Sequence, residues 1–224
     1  MSKITINHNF FEKSAWEQEG FAIGLDEAGR GCLAGPVVVS AVILPQYTTF
    51  ELLKDSKILS EENRLKAFSW IQKKCIFSSA IIPADEIDKI NIYQATLKGM
   101  KMALFSLYSA LPKKTTPIIN ILSDAMPLTK ISLEPNTPTF HHFPKGETWS
   151  ATIAAASIVA KVTRDALMNE FDKLFPNYKL SKHKGYGTTI HYHALEQFGP
   201  SIIHRRTFLS SVARKTHEKQ QTIF

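Results

Sequence analysis

Cysteine is nearly absent from this 224-residue chain: Cys32 and Cys75 are the only two, and no CxxC pair occurs. That excludes a zinc finger or a disulfide scaffold and fits a reducing compartment. No segment approaches 18 uninterrupted apolar residues, and Met1 to Phe10 lacks the basic start and apolar run of a signal peptide. A cytoplasmic protein without membrane contact is therefore expected. Nor is there a fixed-period repeat, which removes solenoids. With 21% charged and 44% hydrophobic residues the chain is too apolar to be disordered. Its length suits one domain, or one plus a small appendage.

Acid is scarce at one end. Between residues 179 and 224, Lys179, Lys182, Lys184, Arg205, Arg206, Arg214, Lys215 and Lys219 face only Glu196 and Glu218, a net +6 out of the chain's +7. His183, His191, His193, His204 and His217 lie in the same stretch and are expected to make it more positive in a mildly acidic field. Concentrated positive charge points first to a polyanion, most often nucleic acid; a solvated basic surface is the plainer alternative.

What is present elsewhere is an alternation of strand and helix patterns. Phe21 to Leu25 and Pro36 to Leu44 are short apolar runs separated by a Gly-rich turn, and Ile76 to Ile82, Pro117 to Ser123 and Thr139 to Phe143 read as further strands. Ser60 followed by Glu61 and Glu62 starts a helix reaching about Lys74. The stripe Tyr93, Leu97, Met100, Leu104, Leu107 and Leu111 marks a second, and Ile153, Ala156, Ala160, Thr163, Leu167, Phe171 and Leu174 a third, ended by Pro176. This order predicts an α/β fold with a central sheet covered by helices. A turn as short as Asp26 to Gly35 should pair the first two strands antiparallel, so the sheet is expected to be mixed.

Carboxylates stand at the ends of these strands. Asp26 and Glu27 close the first, and both can serve one site only if the strand stops there and the turn swings Glu27 round, because strand neighbours point to opposite faces. Asp124 follows the strand at Pro117 to Ser123, and Glu147 lies in a Lys-Gly-Glu turn opening the long helix. Plainer readings exist: a charged loop, a turn residue, an acid at a helix N-terminus. Side chains at the ends of neighbouring strands nevertheless converge where α/β sheets bind ligands. Four carboxylates without Cys or clustered His are hard oxygen ligands, suited to Mg²⁺ or Mn²⁺. Two such ions roughly 3.5–4 Å apart could bridge the acids to phosphate and support an in-line phosphodiester displacement.

Gly29-Arg30-Gly31 with Gly35 fits neither a dinucleotide fingerprint nor a P-loop. Its glycines let backbone N–H groups approach a sugar or phosphate, and Arg30 can add a charged contact. Lys182-His-Lys-Gly-Tyr186 joins two cations to an aromatic able to stack on a sugar or base, although a surface turn with a packed tyrosine is the commoner case.

Taken together, Gly24-Leu-Asp-Glu-Ala-Gly-Arg-Gly31, Leu33-Ala-Gly-Pro-Val37, Asp55-Ser-Lys57, Ala154-Ala-Ala-Ser-Ile-Val-Ala-Lys-Val-Thr-Arg-Asp165, His183-Lys-Gly-Tyr186 and His204-Arg-Arg206 resemble bacterial ribonuclease HII, in order and over nearly the whole chain. The resemblance implies a ribonuclease H-like fold, a mixed sheet flanked by helices with a C-terminal helical extension. It implies a metal-dependent endoribonuclease cutting the RNA strand of RNA–DNA hybrids, and 5′ of ribonucleotides embedded in duplex DNA, leaving 3′-hydroxyl and 5′-phosphate ends. Its metal-holding catalytic acids fall on Asp26, Glu27, Asp124 and Glu147, with two Mg²⁺ or Mn²⁺ ions. Its substrate contacts fall on Gly29, Arg30 and Gly31, which sense the ribose 2′-hydroxyl, and on Lys57, Lys182, Lys184 and the junction-sensing Tyr186.

Two departures stand out: Asp124-Ala125 where the family usually has Asp-Gly, and Lys145-Gly146-Glu147 where it usually has Lys-Gly-Asp. Glu147 is one methylene longer, so a second ion is expected to sit differently or to be held through water. Asp165 is expected to be a helix-surface or ion-paired acid. The expected organisation is a catalytic domain over 1–178, its first 20 or so residues an extension, and a basic helical segment over 179–224 that packs on the core and touches substrate, in a monomer. A ribonuclease HIII-like enzyme is disfavoured by the short segment before the first strand. A non-catalytic nucleic-acid binder would leave the acids unexplained, because anions weaken phosphate affinity.

Overall fold

A computed structural model describes residues 9–209, apart from 49, 55, 113–116, 125, 129–130 and 135–136. Asp55, Ala125 and the end of the basic segment, residues 210–224, thus lie outside the described residues. The elements are α1 (Phe10–Trp16), β1 (Phe21–Ala28), β2 (Val37–Ile43), α2 (Glu61–Lys74), β3 (Ile76–Ile82), α3 (Ala84–Ala110), β4 (Ile118–Asp124), β5 (Thr139–Phe143), α4 (Ala151–Leu174), α5 (Leu180–His183) and α6 (Thr189–Phe198). Two compact units are distinguished: Met1–Ala28, Val38–Ile81 and Leu97–Thr163, and Gly29–Val37, Ile82–Thr96 and Arg164–Phe224. The division falls within α4.

The five strands form one sheet in the order β3-β2-β1-β4-β5. β1 runs antiparallel to β2 and parallel to β4, and β4 runs parallel to β5, which is the mixed sheet expected. In the first unit both faces are covered. Val39, Ala41 and Ile43 of β2 share a cluster with Met100, Ala103, Leu104 and Leu107 of α3. Val42, between them in the alternation, packs with Ala67 and Ile71 of α2 and with Ala154, Ala155, Ile158 and Val159 of α4. A strand covered on both sides favours apolar residues at nearly every position, which is why β2 reads as an aliphatic run broken only by Ser40, whose buried hydroxyl bonds Ser79 at 2.7 Å. Each large aliphatic side chain so buried contributes about 1.5–3 kcal/mol.

Helix α2 begins as its sequence indicates, with Ser60 Oγ accepting from the Asn63 amide at 3.2 Å. α3 departs from expectation. It starts at Ala84 and is interrupted at Asn91, whose φ of 65° breaks the helical phase. Asn91 Oδ1 then caps the second stretch by accepting from the Gln94 amide. The phase change leaves Tyr93 exposed, so the buried stripe begins after it. α1 was not anticipated at all.

One glycine governs how β1 meets α4. A Cβ at Gly24 would lie 2.3 Å from the Thr152 carbonyl carbon and 2.4 Å from the Ile153 amide nitrogen. Both are backbone atoms and cannot swing aside. Gly24→Ala should therefore cost about 3 kcal/mol, at the upper end of ordinary overpacking. That corresponds to a thermal midpoint lower by about 6–12 °C, measurable by calorimetry; an unchanged midpoint would contradict the close approach.

Candidate active site

The sheet's register brings two of the expected acids side by side. Leu25 of β1 pairs with Ser123 of the parallel strand β4, and Asp26 and Asp124 each follow by one residue. Their charges interact: burial first, then the Glu27 and Asp124 carboxylates, push the Asp26 carboxyl well above the usual aspartate range. Asp26 Oδ1 accepts from the Glu27 amide at 2.7 Å, and the Ser157 hydroxyl of α4 hydrogen-bonds the same carboxyl, both opposing the shift. Ser157 is itself buried and bonds Ser56 at 2.7 Å.

The strand does not stop at Asp26. β1 continues to Ala28, with Asp26 opposite Ser40 and Glu27 opposite Val39 of β2. The two acids thus occupy successive positions of an extended strand, and the early strand end the sequence seemed to require is not needed: the Glu27 carboxylate is still near enough to raise Asp26, with Asp26 buried and Glu27 half-buried. The sequence alone suggested an earlier stop because two adjacent carboxylates resemble a loop. The antiparallel ladder to β2 holds their backbone extended nonetheless.

Glu147 arrives by way of β5. Phe143 pairs with Asp124, and two residues later Lys145 takes a left-handed conformation (φ 59°) that turns the chain into a short 3₁₀ segment, Gly146–Thr148. The Gly146 amide donates to Asp124 Oδ1 at 3.0 Å, which ties the backbone immediately before Glu147 to Asp124, and Glu147 is 7% exposed. The far side of this turn is anchored from α1. Glu12 Oε1, fully buried, accepts from Ser150 Oγ (2.6 Å), Thr152 Oγ1 (2.7 Å) and the Thr152 amide (2.9 Å), while Ser150 Oγ caps α4 by accepting from the Ile153 amide. Glu12 and Ser157 escaped the sequence reading. The only signals were a lone carboxylate in a Phe-rich segment and a lone hydroxyl in an Ala-rich helix.

Oxygen donors crowded enough to raise the Asp26 carboxyl are the chemistry that welcomes a hard divalent cation. They are not clenched around one: among the described residues no three or more His, Cys, Asp or Glu side chains already form an ion-holding group.

The expected substrate contacts divide differently. Gly29 is buried with φ 94°, Arg30 half-buried, and Gly31 exposed with open space where a Cβ would be. Lys57 and Lys182 are exposed. Lys184 is turned to Asn169 Oδ1 and the Ser181 carbonyl, each 2.5 Å from Nζ. Tyr186 is 44% exposed, its phenol held above the ordinary range chiefly by burial and next by Cys32. Asp165 is half-buried on α4.

The basic segment is less available than its composition suggests. Arg205 and His191 are fully buried, and His183 and His204 are buried. Burial lowers His191, and lowers His204 to about 4, so these two do not add charge in mild acid as expected.

The ribonuclease HII family model matches residues 23–211. A ribonuclease HII of Caldanaerobacter subterraneus subsp. tengcongensis is 42% identical over 207 residues, covering 92% of this chain and 81% of that protein. Among solved structures, the ribonuclease H2 of Pyrococcus horikoshii superposes with a TM-score of 0.66 at 24% identity, over 89% of this chain and 98% of that one. Bst-RNase HIII in complex with Mn²⁺ gives 0.58 at 20% identity, over 88% and 76%. Sheet order, motif order and these likenesses agree: the chain belongs to the ribonuclease HII family, whose activity is that of a ribonuclease H endonuclease.

Proposed function

We propose that this chain is a divalent-metal-dependent endoribonuclease that cuts RNA–DNA hybrids and cuts 5′ of ribonucleotides embedded in duplex DNA, leaving 3′-hydroxyl and 5′-phosphate ends. The observation that carries the reading is the Asp26–Asp124 neighbourhood, where a buried carboxyl is raised by Glu27 and by half-buried Asp124, and the Gly146 amide, one residue before Glu147, is bonded to Asp124. Asp26, Glu27, Asp124 and Glu147 would hold Mg²⁺ or Mn²⁺, two ions in the active complex. Bound there, the ions supply Lewis-acid activation of water and neutralise phosphate charge. The protein's own share is positional. The β1–β4 register sets Asp26 beside Asp124, and the Glu12 cap and the Gly146 amide fix the turn bearing Glu147. Gly29, Arg30 and Gly31 offer backbone to the ribose, whose 2′-hydroxyl separates RNA from DNA. Tyr186 supplies a half-exposed ring for stacking. Lys57, Lys182 and the exposed part of 179–224 meet phosphates, with Lys184 drawing on Nζ donors now spent on Asn169 and Ser181. Among the described residues no helix is long and apolar enough to cross a membrane. We place the enzyme in the cytoplasm as a monomer.

The test is a DNA duplex carrying one ribonucleotide, incubated with Mg²⁺, Mn²⁺ or EDTA and mapped at nucleotide resolution. One cut on the 5′ side of the ribonucleotide, abolished by EDTA, is expected. Binding in Mg²⁺ without cleavage would sink the reading in favour of a non-catalytic binder. Because the longer arm of Glu147 suits the less demanding ion, faster turnover is expected with Mn²⁺ than with Mg²⁺; a clear Mg²⁺ preference would count against that role for the side chain.

A further inference from the structure

Within the second unit, among the described residues, two fully buried arginines donate hydrogen bonds only to backbone carbonyls. Arg164 donates from Nε to Pro36 (2.9 Å), from Nη2 to Ala34 (3.1 Å) and from Nη1 to Lys184 (2.8 Å). Arg205 donates from Nε (3.0 Å) and Nη2 (2.8 Å) to Gly35 and from Nη1 to Arg30 (2.8 Å). The two segments so held are those read above as ribose contacts, the Gly29–Gly31 loop with its flank and the stretch entering Tyr186. They also bond each other directly, the Leu33 amide donating to the Gly185 carbonyl at 2.8 Å. The fit is close on every side. A Cβ at Gly29 would fall 1.9 Å from Arg164 Nε, and one at Gly185 would fall 2.4 Å from the Ala34 carbonyl oxygen. The Arg164 guanidinium carbon lies 6.0 Å from the Tyr186 ring centre.

Burying a cation is costly, and these six bonds return no ion pair. What a guanidinium offers that a lysine does not is a planar fork whose donors have fixed directions. On Arg164 that fork points to three carbonyls on two segments. We infer that Arg164 is a positioning residue: it keys the Gly29–Gly31 loop to the Tyr186 segment, so that the backbone facing the 2′-hydroxyl and the stacking ring keep one spacing. The inference rests on the reading under Proposed function. A single ribose embedded in DNA must meet both groups at once, whereas a continuous hybrid presents a ribose at every step and tolerates a loosened reader.

The experiment compares, in one preparation, the rate on a duplex with a single ribonucleotide with the rate on a continuous hybrid. A purely structural role lowers both rates together, since the fraction of folded enzyme cancels in the ratio. For Arg164→Lys, which keeps the charge and loses the fork, the ratio should fall roughly tenfold or more, because ångström-scale misplacement of a contact group costs on that order. Gly29→Ala, which presses on Arg164 from the loop side, should shift the ratio the same way and serves if the first variant does not fold. A ratio within about twofold of wild type in either folded variant overturns the inference alone. Wild-type protein that cuts the hybrid but leaves the single ribonucleotide intact overturns the underlying reading and the inference with it.

Discussion

Asp26→Asn should fold, become more stable at neutral pH, and lose roughly 10³–10⁴-fold in cleavage rate, equivalent to about 4–5 kcal/mol of transition-state stabilisation. The activity loss follows from taking one charged oxygen out of the donor set while keeping its shape. The stability gain follows from the same charge. Burial and the neighbouring Glu27 and Asp124 carboxylates hold the Asp26 carboxyl above its ordinary 3.8 in the folded protein. A folded-state value that is raised means the native protein holds the proton more tightly, so ionised Asp26 destabilises it as pH rises above the ordinary range. The variant should therefore lead wild type at pH 7, and the lead should close as pH falls toward 3.8. Divalent cations give a readout independent of turnover. At a hundredfold excess over its dissociation constant an ion stabilises the native state by about 2.7 kcal/mol, and that gain should appear in wild type and be largely lost in the variant. Near-normal cleavage by Asp26→Asn, or equal ion-dependent stabilisation of both proteins, would refute the assignment.

Legibility in the sequence followed how local each feature is. Strands β2, β3, β4 and β5 were readable because an aliphatic run buried on both faces, or bounded by Pro and turn residues, has no ready alternative, and the short Asp26–Gly35 turn allowed only an antiparallel partner. The start of α2 was readable from Ser60 and the acids after it. The features that were not readable are those settled by partners far along the chain. Nothing near Asp26 announces that β2 will hold it and Glu27 in an extended ladder. Nothing near Glu12 announces that Ser150 and Thr152, more than 130 positions away, will close on its carboxylate. Asn91 broke the phase of α3 through one left-handed residue, which periodicity counting cannot register.

Charge was the most misleading signal, and for a physical reason. Counting Lys and Arg treats each cation as facing solvent, yet Arg164 and Arg205 satisfy their donors on backbone carbonyls inside the protein. Two of the carbonyls they hold, those of Gly35 and Lys184, lie beside the glycine loop and in the Tyr186 segment, so Arg205, one of the cations that suggested a polyanion surface, serves with Arg164 to shape the backbone that would meet it. The acids ran the other way. The feature that seemed least compatible with a phosphate ligand, carboxylates crowded at the ends of β1 and β4, survived folding as a neighbourhood that raises the Asp26 carboxyl.

The buried histidines give the second large effect, a loss of stability in acid of about 3 kcal/mol from His204 alone. Their bonds fix their protons. His191 Nδ1 lies 3.0 Å from the Tyr186 carbonyl and must carry hydrogen, so its Nε2, 3.0 Å from His204 Nε2, accepts. His204 then donates from Nε2 and accepts at Nδ1 from the Ser201 amide at 3.0 Å. His183, stacked on His191 at 4.4 Å, donates from Nε2 to the Tyr178 carbonyl and accepts at Nδ1 from the Gly185 amide. His191 and His204 are neutral in this arrangement, and a proton added between them sets two donors against each other. Burial, with His191 and then His183 as opposing neighbours, accordingly lowers His204 from 6.5 to about 4. The unfolded chain takes up that proton near 6.5, so stability is complete above this pH and drains away as pH falls toward 4, about 1.4 kcal/mol for each unit between the two values. His191 shifts in the same direction. Asp26 shifts oppositely over part of the range, so wild type alone does not isolate the effect; the difference from His204→Asn does. That variant should be the less stable protein at pH 7 by denaturant titration, and its deficit should shrink by about 3 kcal/mol at pH 4. A deficit constant across the range would show that the ring titrates as it does in water. Because His191 holds the Tyr186 carbonyl, the same window should cost cleavage at single ribonucleotides before it costs cleavage of continuous hybrids.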